Sequence, residues 1–177
     1  SGMRANLGWA FFGTQSDEGL AVSEDFAARW NGGADGRITT SVTPHAPYTV
    51  DDRLLAAAAD AARRLGVKVH VHASEDMHQT DVSLAQRGIT PIEVLHRTGV
   101  LDAGCIIAHG NGIVADDIPT LATFADRVGV THGPKGYLKM AIGPLTPITE
   151  LRAAGVAVGY CTDGAASNNT LDIFENM

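Results

Sequence analysis

Short apolar runs alternate with helix-forming stretches along most of this 177-residue chain. The runs that are typical of strands are 7–12, 37–43, 67–72, 105–109, 128–131 and 156–160. No two of them lie close enough in sequence to be joined by a tight hairpin turn, so each pair needs a crossover connection. Crossovers join parallel strands, and the alternation therefore predicts an α/β fold built on a parallel sheet of about six strands.

Helix signals fill most of the gaps between these runs. The helices we expect are 23–30, an alanine-rich one from Thr49 or Asp51 to Leu65, 81–87, 91–98, 116–126, 147–154 and one from Leu171 onward. Capping side chains and helix-ending glycines such as Gly66 mark several of the boundaries. The segment 133–144 is rich in glycine and proline and is predicted to be a loop.

Composition indicates a globular protein and narrows the choice of partners. Apolar residues make up 45% of the chain and charged residues 19%, which suits one domain with a substantial core. The net charge of −7, without a basic cluster, argues against nucleic acid or an anionic membrane as a partner. Cys105 and Cys161 lie in strand-like runs, and we expect two buried free thiols in a cytoplasmic protein.

Polar side chains close three of the apolar runs. His70 and His72 alternate with valines and share one face of their strand, and Glu75 follows three residues later. His109 ends the run 105–109, and Asp163 comes shortly after the run 156–160. Since the carboxyl ends of parallel strands meet at one edge, these side chains are candidates for a metal site with a proton shuttle beside it.

Other enzyme motifs are missing from the sequence. It has no Gly-x-Gly-x-x-Gly after the first strand and no Gly-x-x-x-x-Gly-Lys-Ser/Thr, which disfavours a nucleotide-binding Rossmann or P-loop protein. It also has no Gly-x-Ser-x-Gly elbow, which disfavours a serine hydrolase.

Five segments together resemble the amidohydrolase superfamily. More closely, they resemble its branch of S-adenosylhomocysteine/methylthioadenosine deaminases, related purine- and pterin-type deaminases and triazine chlorohydrolases. The segments are Thr43-Pro44-His45-Ala46-Pro47-Tyr48, His70-Val71-His72-Ala73-Ser74-Glu75, Ala108-His109-Gly110, Thr131-His132-Gly133-Pro134-Lys135 and Cys161-Thr162-Asp163-Gly164-Ala165-Ala166-Ser167-Asn168-Asn169. They occur in the family's order and at its spacing, and they span nearly the whole chain.

The resemblance implies a (β/α)8 TIM barrel of the metal-dependent hydrolase type that holds one divalent metal, zinc first and iron as the alternative. It implies His72 and Asp163 as metal ligands, and Glu75, His109 and Asp163 as catalytic groups. In this interpretation Glu75 shuttles protons, His109 polarises the attacked centre, and Asp163 helps to deprotonate the water. His45, His109 and Glu75 would contact the substrate.

The departures from the family pattern also carry predictions. The family has a His-x-His pair on its first strand, whereas the only such pair here, His70 and His72, lies in the fifth-strand context. Residues 1–177 are therefore interpreted as a partial barrel domain of about strands three to eight, without the first strands and the flanking small β domain. We expect His70 to have a structural role or to support the metal ligands from behind. Gly112 stands where many members have a histidine, and Lys135 to Met140 replaces a Ser-Asn-Leu-Lys run.

Three functions remain open from the sequence. The first is a metal-dependent hydrolytic deaminase of an aminated heteroaromatic ring, such as a purine, a pterin or a cytosine/guanine-like base. The second is a chlorohydrolase of triazine-like substrates, because attack by an activated water is common to both. The third is a catalytically inert barrel fragment without bound metal. We expect a small heterocyclic substrate as partner, a homo-oligomer formed through exposed sheet edges, and weak zinc binding without turnover for the isolated chain.

Overall fold

The computed structural model of this protein describes residues 2–177, which form a six-stranded sheet whose strands follow one another in chain order. The strands are β1 Ala5–Phe11, β2 Ile38–Pro44, β3 Lys68–Ala73, β4 Cys105–His109, β5 Gly129–His132 and β6 Ala157–Tyr160. β1 pairs with β2 in parallel from Ala5 opposite Ile38 to Phe11 opposite Pro44, and β5 pairs with β6 in the same sense. The predicted parallel α/β architecture is therefore confirmed.

Helices connect successive strands, as crossover topology requires. They are α1 Ser16–Trp30, the single-turn α2 Gly33–Gly36, α3 Asp52–Leu65, α4 Met77–Arg87, α5 Pro91–Arg97, α6 Val100–Ala103, α7 Asp117–Thr123, α8 Pro134–Lys139, α9 Ile148–Ala153 and α10 Ala165–Asn168. Two 3-10 turns lie at Gly13–Gln15 and Phe174–Asn176. Within residues 2–177 no helix combines the length and apolarity that a membrane crossing requires.

The chain divides into two compact units, and the first comprises the residues up to Val71 together with Val94–Ile106. Its core contains Phe11, Val42 and Leu55, all fully buried. Helix α3 shows how local sequence fixes the packing, because Asp51 caps it by accepting a 2.8 Å hydrogen bond from the Leu54 N–H. Gly66 ends the same helix at φ 65°, in the left-handed region that glycine adopts without strain.

The second unit comprises His72–Glu93 and Ile107–Met177. Its largest fully buried side chains include Ile107, Leu121 and Leu151, together with Tyr137. Asp76 caps α4 through a 2.8 Å hydrogen bond from the Gln79 N–H, which fixes where the chain leaves β3 and enters the helix. This unit holds the carboxyl ends of β3, β4 and β6.

Three expectations about helices were wrong. The glycine- and proline-rich segment 133–144 contains α8, because Pro134 occupies the first turn and Tyr137 is buried beneath it. The chain from Leu171 onward forms no longer helix than the short turn Phe174–Asn176, where the Phe174 N–H donates a 2.9 Å hydrogen bond to the Asp172 carboxylate. The first helix begins at Ser16, seven positions before the predicted start at 23.

Candidate active site

Strand β3 contains His72, the residue at which the second unit begins. Val69, Val71 and Ala73 are buried on one face of this strand, and His70 and His72 are half-buried on the other. The predicted alternation is confirmed. The role of His70 stays a prediction.

His72 and His109 lie ring against ring at the ends of β3 and β4. Their centroids are 5.3 Å apart, and their planes differ by 22°. His109 is buried, and its Nδ1 makes no hydrogen bond to any residue that the structure describes. Burial lowers the pKa of His109, Glu75 and Asp163 oppose this shift, and His72 adds to it. The ring therefore favours the neutral form over the imidazolium.

The Glu75 carboxylate points one oxygen at His109 and is held by Gln79 through the other. Its Oε1 lies 3.8 Å from His109 Nε2, within ion-pair distance if His109 is protonated. Its Oε2 accepts a 2.8 Å hydrogen bond from the Gln79 amide, whose oxygen in turn accepts the Glu75 backbone N–H at 3.1 Å. This two-point contact orients the carboxylate at the start of α4.

Asp163 occupies a tight loop after β6, with a left-handed φ of 57°. Its Oδ1 accepts the Gly164 N–H at 2.7 Å, and its Oδ2 accepts the Ser167 hydroxyl at 2.7 Å. Its negative charge raises the pKa of His109, so it belongs electrostatically to the same group as Glu75 and His72.

His45 belongs to the first unit and has its own aromatic surroundings. Its ring stacks on Phe12 at a centroid distance of 4.3 Å and meets Tyr48 edge-on at 5.7 Å. Its Nδ1 lies 2.8 Å from the Thr49 hydroxyl. An oriented imidazole with an exposed tyrosine beside it suits contact with a planar ligand, and its role as a substrate contact stays a prediction.

Sequence reasoning missed several residues around His109. Tyr137 is fully buried with its ring 5.8 Å from that of His109 and 5.5 Å from that of His132. Gln79 was also missed, although the Asp-x-x-Gln spacing from Asp76 is a capping pattern that could have drawn attention to it. Tyr137 had no such signal because its helix was predicted to be a loop.

The side chains of His72 and Asp163 are of the types that bind a divalent metal, but two donors are fewer than such a metal usually has. Imidazole from His72 and carboxylate from Asp163 are normal zinc ligands. Across residues 2–177, however, no cluster of three or more His, Cys, Asp or Glu side chains is arranged to hold a metal ion. Catalytic zinc commonly has three protein ligands, so the described residues alone offer an incomplete set.

Comparison with known protein families shows the family to which this chain belongs. The model described as "Amidohydrolase family" matches residues 1–177. The chain belongs to the amidohydrolase family. The resemblance inferred from the strand-end motifs is thereby confirmed, and so is the TIM-barrel type of fold.

Relatives of this amidohydrolase chain include deaminases and a triazine hydrolase. A 5-methylthioadenosine/S-adenosylhomocysteine deaminase from Pelotomaculum thermopropionicum is 43% identical over 179 residues, covering 100% of this chain and 41% of the relative. The structure of an adenosine deaminase from Xanthomonas campestris with bound zinc is 33% identical with a TM-score of 0.84, covering 98% of this chain and 40% of that one. A triazine hydrolase from Arthrobacter aurescens is 26% identical with a TM-score of 0.79, covering 89% and 34%. The chain thus spans about two fifths or less of each relative's length.

Proposed function

We propose that this chain carries part of the active site of a metal-dependent hydrolytic deaminase. The substrate class is an aminated heteroaromatic ring, of the purine, pterin or cytosine/guanine type. The observation that carries the proposal is the contact of Glu75 with His109 and of His109 with His72, at the ends of adjacent strands in chain order. The deaminase names of relatives that are 43% and 33% identical to the chain support the substrate class.

In this proposal Glu75 moves the proton and His109 polarises the ring. The Glu75 Oε1, which lies 3.8 Å from His109 Nε2, accepts a proton from the attacking water and passes it to the leaving nitrogen. His109 is kept neutral by burial, so its Nε2 can hold a proton and donate it in a hydrogen bond to the attacked ring. His45 contributes a contact to the substrate.

His72 and Asp163 are proposed as two of the ligands of one divalent metal, zinc first and iron as the alternative. The zinc described in the Xanthomonas campestris structure supports this choice. When bound, such a metal supplies a water molecule whose pKa is lowered toward neutrality. Catalytic zinc commonly has three protein ligands, and residues 2–177 provide no cluster of three donors, so His72 and Asp163 are proposed as part of the ligand set only.

A second candidate reaction is the displacement of chloride from a triazine-like ring. This candidate is supported by the likeness of the chain to the triazine hydrolase, which is 26% identical with a TM-score of 0.79. Ammonia and chloride are both expelled after attack by an activated water, so the same Glu75 and His109 would serve either reaction. A panel of amino- and chloro-substituted purines, pterins and triazines separates the two.

The incomplete donor set supports a third candidate, a chain that is inert on its own. We propose that residues 1–177 alone bind zinc weakly and form homo-oligomers in a cytoplasmic setting. Metal analysis and light scattering test both points, and a monomer that carries one zinc per chain would refute them.

The deaminase proposal is tested by replacing Glu75 in the full-length protein. Glu75→Gln should lower kcat by about 10²- to 10⁴-fold, which is the usual contribution of a general acid or base, while metal content stays unchanged. Glu150→Gln, an exposed position in α9, is the matched control and should behave as wild type. Turnover by Glu75→Gln at the wild-type rate would show that the proton takes another route.

A further inference from the structure

A buried polar pair lies behind the candidate site, formed by Asn111 and Thr146. The Asn111 amide donates a 2.9 Å hydrogen bond to the Glu75 backbone carbonyl, and its oxygen accepts the Thr146 N–H at 3.0 Å. The Thr146 hydroxyl lies 2.9 Å from the His109 backbone carbonyl. Two side chains that are 35 positions apart in sequence thereby join the backbones of Glu75 and His109.

The Thr146 hydroxyl has three partners within hydrogen-bond distance, namely the His109 carbonyl, the Asn111 oxygen and His132 Nδ1. A threonine hydroxyl has one hydrogen to donate, and the His109 carbonyl can only accept. The Asn111 oxygen, which has two lone pairs, accepts the Thr146 N–H at 3.0 Å and also lies 3.0 Å from the Thr146 hydroxyl. The hydroxyl hydrogen is therefore shared between this oxygen and the His109 carbonyl at 2.9 Å. His132 Nδ1 lies 2.9 Å from the same hydroxyl and donates to it or accepts from it according to the tautomer of the ring.

The hydrogen bond from Thr146 supports a strained backbone, because the φ of His109 is 78°. A residue other than glycine is strained in this left-handed region and persists there only where its surroundings hold it. The carbonyl of this strained residue is the one that Thr146 engages. Loss of the hydroxyl would remove a hydrogen bond from this carbonyl and weaken the support of the turn at His109.

We propose that Asn111 and Thr146 are positioning residues that set the distance between the Glu75 carboxylate and the His109 imidazole. Neither is among the residues that we propose to contact substrate or metal, and both act through the backbones of residues that do. This rests on the proposed function, in which Glu75 and His109 work together on one substrate. Asn111 and Thr146 lie outside the strand-end motifs, so this role is additional to the roles that those motifs indicate.

The test compares two substitutions of Thr146 in the full-length protein. Thr146→Val keeps the shape but removes the hydroxyl, and it should lower kcat by about 10- to 100-fold, since misplacement by an ångström costs that much. KM should change by less than about threefold, because the substrate contacts remain. Thr146→Ser restores the hydroxyl and should return kcat to within about threefold of wild type.

Thr40→Val is the matched control. Its buried hydroxyl donates at 2.9 Å to the Ala27 carbonyl within the first unit, and its loss should leave kcat unchanged. A second readout needs no turnover. In nitrogen-15 spectra of the histidine rings, Thr146→Val should shift the signals of His132 and His109, and Thr40→Val should shift neither.

Each outcome decides something separate. Wild-type protein that turns over none of the aminated or chlorinated rings would refute the proposed function, and the ring spectra would then decide this inference alone. Three results would overturn the proposal that Asn111 and Thr146 are positioning residues. They are a wild-type kcat in Thr146→Val, an equal loss of kcat in Thr146→Ser, and ring spectra that do not change in Thr146→Val. If Thr146→Val does not fold, Asn111→Asp replaces it, since it keeps the acceptor for the Thr146 N–H but loses the donor to Glu75.

Discussion

Gly112 sits where the backbone after β4 passes closest to the start of α4, and we predict that it tolerates no side chain. A Cβ added there would lie 2.6 Å from the Thr80 hydroxyl and 2.8 Å from the Asp76 carbonyl carbon, and closer still to the Asp76 carbonyl oxygen. Gly112 is also bonded at both of its backbone groups, through its N–H to the Ser74 carbonyl at 2.7 Å and through its carbonyl to Thr80 at 2.7 Å. It therefore cannot move away from α4.

The cost of Gly112→Ala follows from these contacts. Overpacking against backbone costs about 1–3 kcal/mol, and the buried Thr80 hydrogen bond contributes about 1 kcal/mol. Displacing Asp76 also weakens the cap that it gives to Gln79, which contributes about 1 kcal/mol. We expect a loss of about 3–5 kcal/mol in the free energy of unfolding, or a fall in Tm of roughly 6–20 °C for a chain of this size.

Urea and thermal unfolding followed by circular dichroism measure this loss on the 177-residue chain. Gly159→Ala in β6 is the matched control, since an added Cβ there meets no described atom within 4 Å. That variant should unfold at or slightly above the wild-type midpoint, because alanine restricts the unfolded chain. A Gly112→Ala protein within about 0.5 kcal/mol of wild type would refute the steric argument.

Three further predictions concern buried polar groups. Burial raises the pKa of Asp117 above its ordinary 3.8, so the folded state binds the proton more tightly, and the stability that Asp117 contributes is lost as pH rises through its folded pKa. The difference in unfolding free energy between wild type and Asp117→Asn should therefore shrink from pH 3 upward, and a difference that grows over this range would contradict it. The buried Tyr137 hydroxyl has no hydrogen bond of good geometry within residues 2–177, although the Cys161 thiol lies beside it. Tyr137→Phe should therefore raise the unfolding free energy by about 1 kcal/mol, as denaturant titration measures, and a loss of that size would show that the thiol is its partner. Burial raises the pKa of Cys105 to about 12, whereas Cys161 is only partly buried, so a colorimetric thiol reagent should label Cys161 alone in the native chain and both thiols in denaturant. Rapid labelling of Cys105 in the native chain would indicate local opening.

Much of the fold was predictable because its signals are local. Strand β3 alternates valine with histidine, and α3 carries its own cap at Asp51 and its own stop at Gly66, so each could be located from a few neighbouring residues. Helix α8 was missed because Gly133, Pro134 and Gly136 are loop formers by propensity. Burial of Tyr137 overrides that preference, and burial is a property of the packed chain.

The candidate site was predictable only where chemistry coincides with strand ends. His72, Glu75 and His109 were found because parallel strands deliver their carboxyl ends to a common edge. The contact of Asn111 with Thr146 could not be predicted from the sequence, because it joins positions 35 residues apart and nothing in either local sequence indicates it. The thiols divide in the same way, because the expectation of burial is confirmed for Cys105, while Cys161 is only half-buried.

The backbone leaves regular strand geometry at His109, whose ring contacts that of His72. Cys105 and Ile107 are fully buried on the face of β4 that His109 would share if the alternation continued. The left-handed φ of 78° at His109, followed by Gly110 at 71°, ends the alternation of the strand at this residue. Gly110 is required there, because an added Cβ would lie 2.9 Å from Ile113 and from Val130. A histidine in this conformation is unfavourable by itself, so the hydrogen bond from Thr146 to its carbonyl and the packing of its ring must offset the cost.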